Sequence, residues 1–362
     1  MAEDDARGGP PPPRANPELV GHAEAEAALL AGYHSGRLAH AWLLAGPPGI
    51  GKATLAYRFA RFVLAGGGGG LFADAAPTLA LDAGDPVFRR VAAGSHADLL
   101  TVARSYDERR KRLRDEIVVD DARAVGPFLR LTAAEGGWRV VVVDCADELN
   151  IAAANTLLKV IEEPPEKALV LLVCHTPGRL LATIRSRCRR LVMRPLDEGC
   201  VSGFLARYRP GIHGDEAAAL ARLAAGSPGR GRRHARRGGL ALEREMVALL
   251  AQGREIDGEA LHGLAERLGR AGAEPAYHTF MELLVGWLAR LVRSGATGEP
   301  PAETVSGEDA VARRLLAGRS LEHWAGVWEK VGRLAVRAER ANLERKQVVI
   351  SAFTTLEAAS RP

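Results

Sequence analysis

The stretch AWLLAGPPGIGKATLAYRFARFVL, residues 41–64, sets the fold. AWLLA is a short apolar run of the kind that forms a buried strand, and from Ala53 to Leu64 apolar residues recur at helical spacing. Between them lies GPPGIGK, Gly46 to Lys52. A strand, such a loop and a helix start form the context that a phosphate-binding P-loop requires. Gly46, Gly49 and Gly51 let the backbone curl so that several N–H groups face an anion. The helix start adds its dipole, and Lys52 can reach the terminal phosphates. One position departs from the motif. A Ser or Thr normally follows the lysine and ligates magnesium; here that residue is Ala53. Thr54 lies roughly 100° further round the helix and faces elsewhere. The cradle and Lys52 leave ATP as a weakly supported cofactor with a degraded magnesium site.

Outward from the loop, strand and helix signals alternate over about 150 residues, the pattern of a doubly wound parallel sheet. ADLLTVA (97–103), WRVVVVD (138–144), ALVLLVC (168–174) and RRLVM (189–193) read as strands, the central two buried on both faces because no polar residue alternates within them. Helices are expected at Leu19–Arg37, Asp120–Leu131 and Asn150–Ile161, and 104–116 as a basic loop. GGGGG, 66–70, reads as a flexible stretch, and 71–96 carries no clear pattern. After Pro195 strand signals vanish. The division that follows is a flexible tail (1–16), a P-loop core (17–195), a small helical lid (196–240) and a C-terminal helical domain suited to oligomerisation (241–362). The fold class is α/β with an all-α C-terminal part.

Composition excludes several classes. Hydrophobic residues at 47% and charged residues at 26% fit an ordinary globular chain rather than a disordered one. No apolar run approaches the ~20 residues that span a bilayer, and the acidic, then Gly/Pro-rich start lacks a signal peptide's apolar core, so a cytoplasmic protein without membrane partners is expected. Cys145, Cys174, Cys188 and Cys200 form no CxxC pair, which argues against zinc and any other structural metal. The net charge of +5 is weak, but RRKRLR at 109–114 and RGRRHARR at 230–237 each concentrate five cations. Such clusters suit nucleic-acid phosphates and are equally readable as solvated faces.

The second half of a P-loop site is an acid ending a buried strand, and Asp144 fits. Hydrolytic P-loop proteins usually follow it with a Glu that polarises the attacking water; here Cys145 follows, a poor base for that task. Asp147 and Glu148 read as caps for the helix starting near Asn150 and as surface charge.

VVVVDCADELNIAAANTLLKVIEEPPEKALVLLVCHTPGRLLATIRSRC, ending at Cys188, resembles the core of bacterial clamp-loader AAA+ subunits. Its marks are LLKVIEEPP, LVLLV and the triplet Ser186-Arg187-Cys188. The likeness runs clearly over about 17–230 and weakly into ANLERKQVVISAF, 341–353, which looks like a collar-domain helix of that family. Motor subunits of the family keep the hydroxyl after the P-loop lysine and the Glu after the strand acid, and this chain has neither. The resemblance therefore implies a non-motor member. Its Arg187 would be an arginine finger serving a neighbour's ATP site in trans, as a planar, permanently charged guanidinium can do. The implied partners are the gamma/tau and delta subunits, the sliding clamp and, through the complex, primed DNA. His175 stands where the motors carry a small polar sensor, and Gly229, followed by Arg230, where they carry a sensor arginine. The family's four-cysteine zinc module has no counterpart near 66–70. Two other readings stay open: a self-sufficient AAA+ motor ATPase, and a DNA-binding adaptor that uses no nucleotide.

Overall fold

The computed structural model describes residues 9–67, 78–135, 137–209, 211–252, 256–299 and 303–361. Residues 1–8 of the expected tail and 68–77 of the expected flexible and unpatterned stretches lie outside them. The chain divides into two compact units, one running to Cys200 with 207–209 and 226–229, the other built from 201–206, 210–225 and everything from Arg230 on.

The first unit begins with α1 (Ala23–His34), β1 (Ala41–Ala45), α2 (Lys52–Leu64) and α3 (Pro86–Ala93). Next come β2 (Leu99–Val102) and a small hairpin, β3 (Tyr106–Asp107) with β4 (Arg112–Leu113). α4 (Val119–Ala122), α5 (Val125–Arg130), β5 (Arg139–Val143), α6 (Ile151–Glu162), β6 (Ala168–Cys174), α7 (Ala182–Arg187) and β7 (Arg189–Val192) complete it. Five strands form one sheet in the order β2-β5-β6-β1-β7, every pair parallel. Parallel strands need crossovers, and these are the helices. Because the strands are apolar on both faces, alternate residues feed two separate cores. Leu43, Val141, Val143, Val170 and Leu172 pack with Val125, Leu157 and Ile184 of α5–α7. Trp42, Leu44, Val140, Val142 and Leu171 pack with Leu29, Phe59 and Val91 of α1–α3. This is the expected α/β P-loop architecture.

Several local details differ from the sequence reading. The helix expected over 120–131 is broken between α4 and α5. Pro127 explains the break: it has no N–H to give the carbonyl of Arg123 and is tolerated only in a first turn. α3 falls in the stretch without a clear pattern, capped by Asp85, which accepts from Val87 N at 2.7 Å, and closed by Gly94 at φ 72°. The basic loop is the β3–β4 hairpin. Residues 12–16, expected in a flexible tail, are held against α2. Arg61 is buried, donates to the carbonyls of Arg14 (2.7 Å) and Asn16 (2.6 Å), and sits 4.4 Å from the Phe88 ring.

The second unit is helical throughout. It takes in parts of α8 (Glu198–Tyr208) and α10 (Pro228–Arg236), with α9 (Gly214–Ala224) whole. α11 (Gly239–Ala251), α12 (Gly258–Gly269), α13 (Glu274–Thr297), α14 (Glu308–Gly318), α15 (Leu321–Ala341) and α16 (Arg345–Ser360) follow. Trp287, Trp324, Phe280 and Phe353 are fully buried, the two phenylalanines stacked at 6.1 Å. Among the described residues no helix is long and apolar enough to cross a membrane.

Candidate nucleotide and arginine sites

The P-loop leaves β1 at the C-terminal edge of the sheet. Its glycines hold positive φ: 154° at Gly46, 78° at Gly49 and 111° at Gly51, which caps α2. A Cβ on Gly51 would also lie 2.7 Å from Leu19 Cδ1 of the entering segment, which would have to move aside. His22 secures the same place by donating from Nε2 to the Ile50 carbonyl at 2.9 Å.

Lys52 opens α2 with its side chain 2% exposed. Its Nζ donates to the carbonyls of Gly46 (2.7 Å) and Pro47 (2.6 Å). Burial lowers its pKa to about 8, against the attraction of Asp147, Cys145, Cys174 and Asp144. Ala53 beside it offers no oxygen, and Thr54 is half-exposed one position further round the helix. These residues fit an anion held by backbone N–H groups and Lys52. They do not fit the magnesium that accompanies ATP in hydrolytic sites.

Asp144 directly follows β5, its N–H bonded to the Val102 carbonyl at 2.8 Å. Cys145 is left-handed, φ 60°, and turns its Sγ to within 3.5 Å of His175 Nε2 and 3.8 Å of Asp144 Oδ1. Burial, then the carboxylates of Asp144, Glu148 and Asp147, push the thiol up to about 12. Burial and then Lys52 lower the pKa of His175, against the opposing pull of Asp147 and Asp144. The position of a water-activating carboxylate thus holds a thiol that keeps its proton, against an imidazole whose basicity burial and Lys52 weaken.

Asp147 is not a cap. It is buried and accepts from the N–H groups of His175 (2.8 Å) and Thr176 (3.1 Å), fixing the turn after β6. The helix cap is Asn150, whose side chain accepts from Ala153 N at 2.9 Å. Glu148 pairs with Arg104 at 2.9 Å. The sequence reading also missed Ser227, fully buried, whose Oγ donates to the Pro48 carbonyl at 2.8 Å. Gly229 N donates to the Gly49 carbonyl at 2.9 Å, and a Cβ on Gly229 would lie 2.9 Å from that same oxygen. A side chain at Gly229, near which the resemblance would set a sensor arginine, would crowd the P-loop backbone. Arg230 points to Glu282 at 2.9 Å instead.

Arg187 ends α7 with its side chain 42% exposed. Its guanidinium is steadied by the Thr183 carbonyl (3.1 Å) and by Glu162 (3.0 Å), the last residue of α6. β7 starts two residues later, with Arg189 opposite Trp42 at the start of β1, whereas the P-loop follows Ala45 at the other end. At ~3.3 Å per residue, the strand alone separates the two edges by roughly 10 Å. The structure therefore gathers Gly46, Gly49, Gly51, Lys52, Ala53 and Asp144 at one edge of the sheet and sets Arg187 at the opposite edge.

Residues 21–197 match the family model described as DNA polymerase III, delta subunit. DNA polymerase III subunit delta' of Pseudomonas aeruginosa PAO1 is 37% identical over 192 residues, 52% of this chain and 54% of that protein. Its counterpart in Escherichia coli K12 is 36% identical over 202 residues, 56% of each chain. The chain thus spans about half the length of the relatives it matches. DNA polymerase III subunit tau of E. coli K12 is more distant, 29% identical over 51% of this chain and 26% of that one. Among solved structures, a DNA polymerase III gamma subunit-related protein of Thermotoga maritima overlays with TM-score 0.43 and 18% identity, covering 92% of this chain and 100% of that one. Residues 21–197, which carry the P-loop, Asp144 and Arg187, thus match the DNA polymerase III delta-subunit family and are similar to its delta' members at 36–37% identity.

Proposed function

We propose that the chain is the delta' stator of a DNA polymerase III clamp loader, a subunit that lends an arginine and does not turn over ATP itself. One observation supports this reading: Arg187 is partly exposed on the edge of the sheet away from the chain's own P-loop, where it is free to meet another molecule. A guanidinium so placed can reach a phosphoryl group only in another molecule. Head-to-tail contact between successive modules would bring it there, where its charge stabilises the transferred phosphoryl group of an adjacent gamma/tau subunit. Ala53, which cannot ligate magnesium, and Cys145, which cannot take a proton, argue against a self-sufficient motor. ATP, if bound, would rest on Lys52 and the loop N–H groups as a structural ligand. In this reading residues 196–240 act as a lid, 241–362 as the collar that joins the other subunits, and the assembled complex places the sliding clamp on primed DNA.

The test is co-purification with gamma/tau and delta subunits, followed by DNA-stimulated ATPase of the complex carrying Arg187→Ala. The complex is expected to assemble normally and to lose turnover at the one site that borders this chain, by roughly 10³-fold or more at that site. Assembly with undiminished turnover would remove Arg187 from the active site.

A further inference from the structure

The two basic clusters of the sequence have different fates. In residues 230–237, Arg230 and Arg233 both pair with Glu282, at 2.9 and 3.4 Å, and His234 is buried, so that cluster is part of the packing. Residues 109–114 form the turn and returning strand of the β3–β4 hairpin, and every one of them is exposed. Arg109, Arg110, Lys111 and Arg114 have no ion-pair partner among the described residues. Two of the nearby carboxylates are engaged: Asp107 accepts from the turn N–H groups of Arg109 (3.0 Å) and Arg110 (3.1 Å), and Asp115 pairs with Arg112 at 3.0 Å. Six cations stand against four carboxylates over 104–116.

The hairpin also carries apolar surface. Tyr106 and Leu113 are directly opposed across the two strands, hence on one face, and are 51% and 53% exposed. The hairpin's base is fixed. Arg104 pairs with Glu148, Ile117 N donates to the Glu148 carbonyl at 2.8 Å, and Asn150 N donates to the Ile117 carbonyl at 3.0 Å. A held hairpin that presents an aromatic plane beside unpaired cations matches single-stranded nucleic acid, where cations follow the phosphates and bases stack on rings. A duplex offers phosphates but no free base faces.

We propose that the β3–β4 hairpin binds single-stranded nucleic acid, with Arg109, Arg110, Lys111 and Arg114 on the phosphates and Tyr106 stacked on a base. The inference rests on the hairpin alone, so failure of the Arg187 experiment leaves it standing. The test measures binding of the full chain to fluorescein-labelled oligo-dT by anisotropy between 50 and 200 mM salt. Four phosphate contacts at a slope of about −0.7 each give about −2.8, so the fourfold rise in salt weakens binding roughly 50-fold. The variant R109A/R110A/K111A/R114A should bind at least about tenfold more weakly at the lower salt and lose that slope. Its unfolding transition should match the parent's, because all four side chains are exposed. Tyr106→Ala should weaken oligo-dT binding roughly tenfold with the slope kept, and leave a duplex of equal length unaffected. An oligo-rU arm assigns the strand as DNA or RNA. Equal affinity and slope for parent and quadruple variant overturn the proposal. So does an absence of oligo-dT binding when polyglutamate binds the hairpin, which would make it a protein-facing surface. An equal effect of Tyr106→Ala on strand and duplex overturns the single-strand preference.

Discussion

In the second unit a single guanidinium nitrogen, Nη2 of Arg290, serves two buried carboxylates, Glu243 at 2.6 Å and Glu308 at 2.8 Å. Glu308 has a second donor in Thr304 N at 2.9 Å, whereas Glu243 Oε2 is buried with no partner among the described residues. Burial therefore raises the pKa of Glu243 from 4.5 to about 7, with Glu308 adding to the rise and Arg290 opposing it. Between those values the folded chain binds the proton more tightly than the unfolded one, so stability must fall as pH rises. The contribution is fully present below pH 4.5 and gone above pH 7. At 1.36 kcal/mol per pH unit the whole effect is about 3 kcal/mol, most of it developed between pH 5 and 8. Glu243→Gln keeps the shape and the acceptor for Arg290 without the titration. Urea unfolding, followed by the fluorescence of buried Trp287 and Trp324, is expected to show the parent losing roughly 2–3 kcal/mol relative to this variant over that interval. Parallel pH profiles for the two proteins would refute the argument that Glu243 is the group being protonated.

Other outcomes concern the first unit. Asp98 is buried, accepts from Ala134 N at 2.9 Å and faces Arg139 at 3.3 Å; Asp98→Ala leaves that arginine buried without its carboxylate and is expected to cost about 3–5 kcal/mol in denaturant unfolding. Gly229→Ala sets a methyl 2.9 Å from the Gly49 carbonyl, where only backbone can give way, and is expected to destabilise by about 1–3 kcal/mol and to raise hydrogen exchange across 46–51. A wild-type exchange rate there would show that the P-loop is not braced by this contact.

The sheet was legible because its strands are unbroken apolar runs: Val140–Val143 and Leu169–Val173 lie where the residues place them. α3 carried its signals openly, an Asp-Pro start and a closing glycine, but its short amphipathic stretch lies amid Gly- and Ala-rich sequence that dilutes the periodicity. Ala53 and Cys145 were readable as losses because the P-loop and the strand acid fix what should stand beside them. Asp147 was not readable. Its partners, the N–H groups of His175 and Thr176, lie 28 and 29 residues away, and no local rule distinguishes a carboxylate aimed at them from one that caps a nearby helix. Ser227 is hidden for the same reason, since its acceptor lies 179 residues away. The two arginine clusters look alike as strings; Glu282 arriving from α13 draws Arg230 and Arg233 of one into the packing, while the other stays exposed.

The placement of P-loop and Arg187 on opposite edges of one sheet gives the module a polarity, like a connector with a socket at one end and a pin at the other. Modules joined pin to socket make a row with a direction. A member whose pin is sound and whose socket is inert can occupy only one place in such a row without wasting a joint, namely the terminus where no pin need arrive. If Arg187 acts as proposed, the edge on which it stands therefore determines where the row begins. The degraded residues Ala53 and Cys145 then mark the position of the gap, and repairing them would gain the assembly nothing unless another pin were supplied.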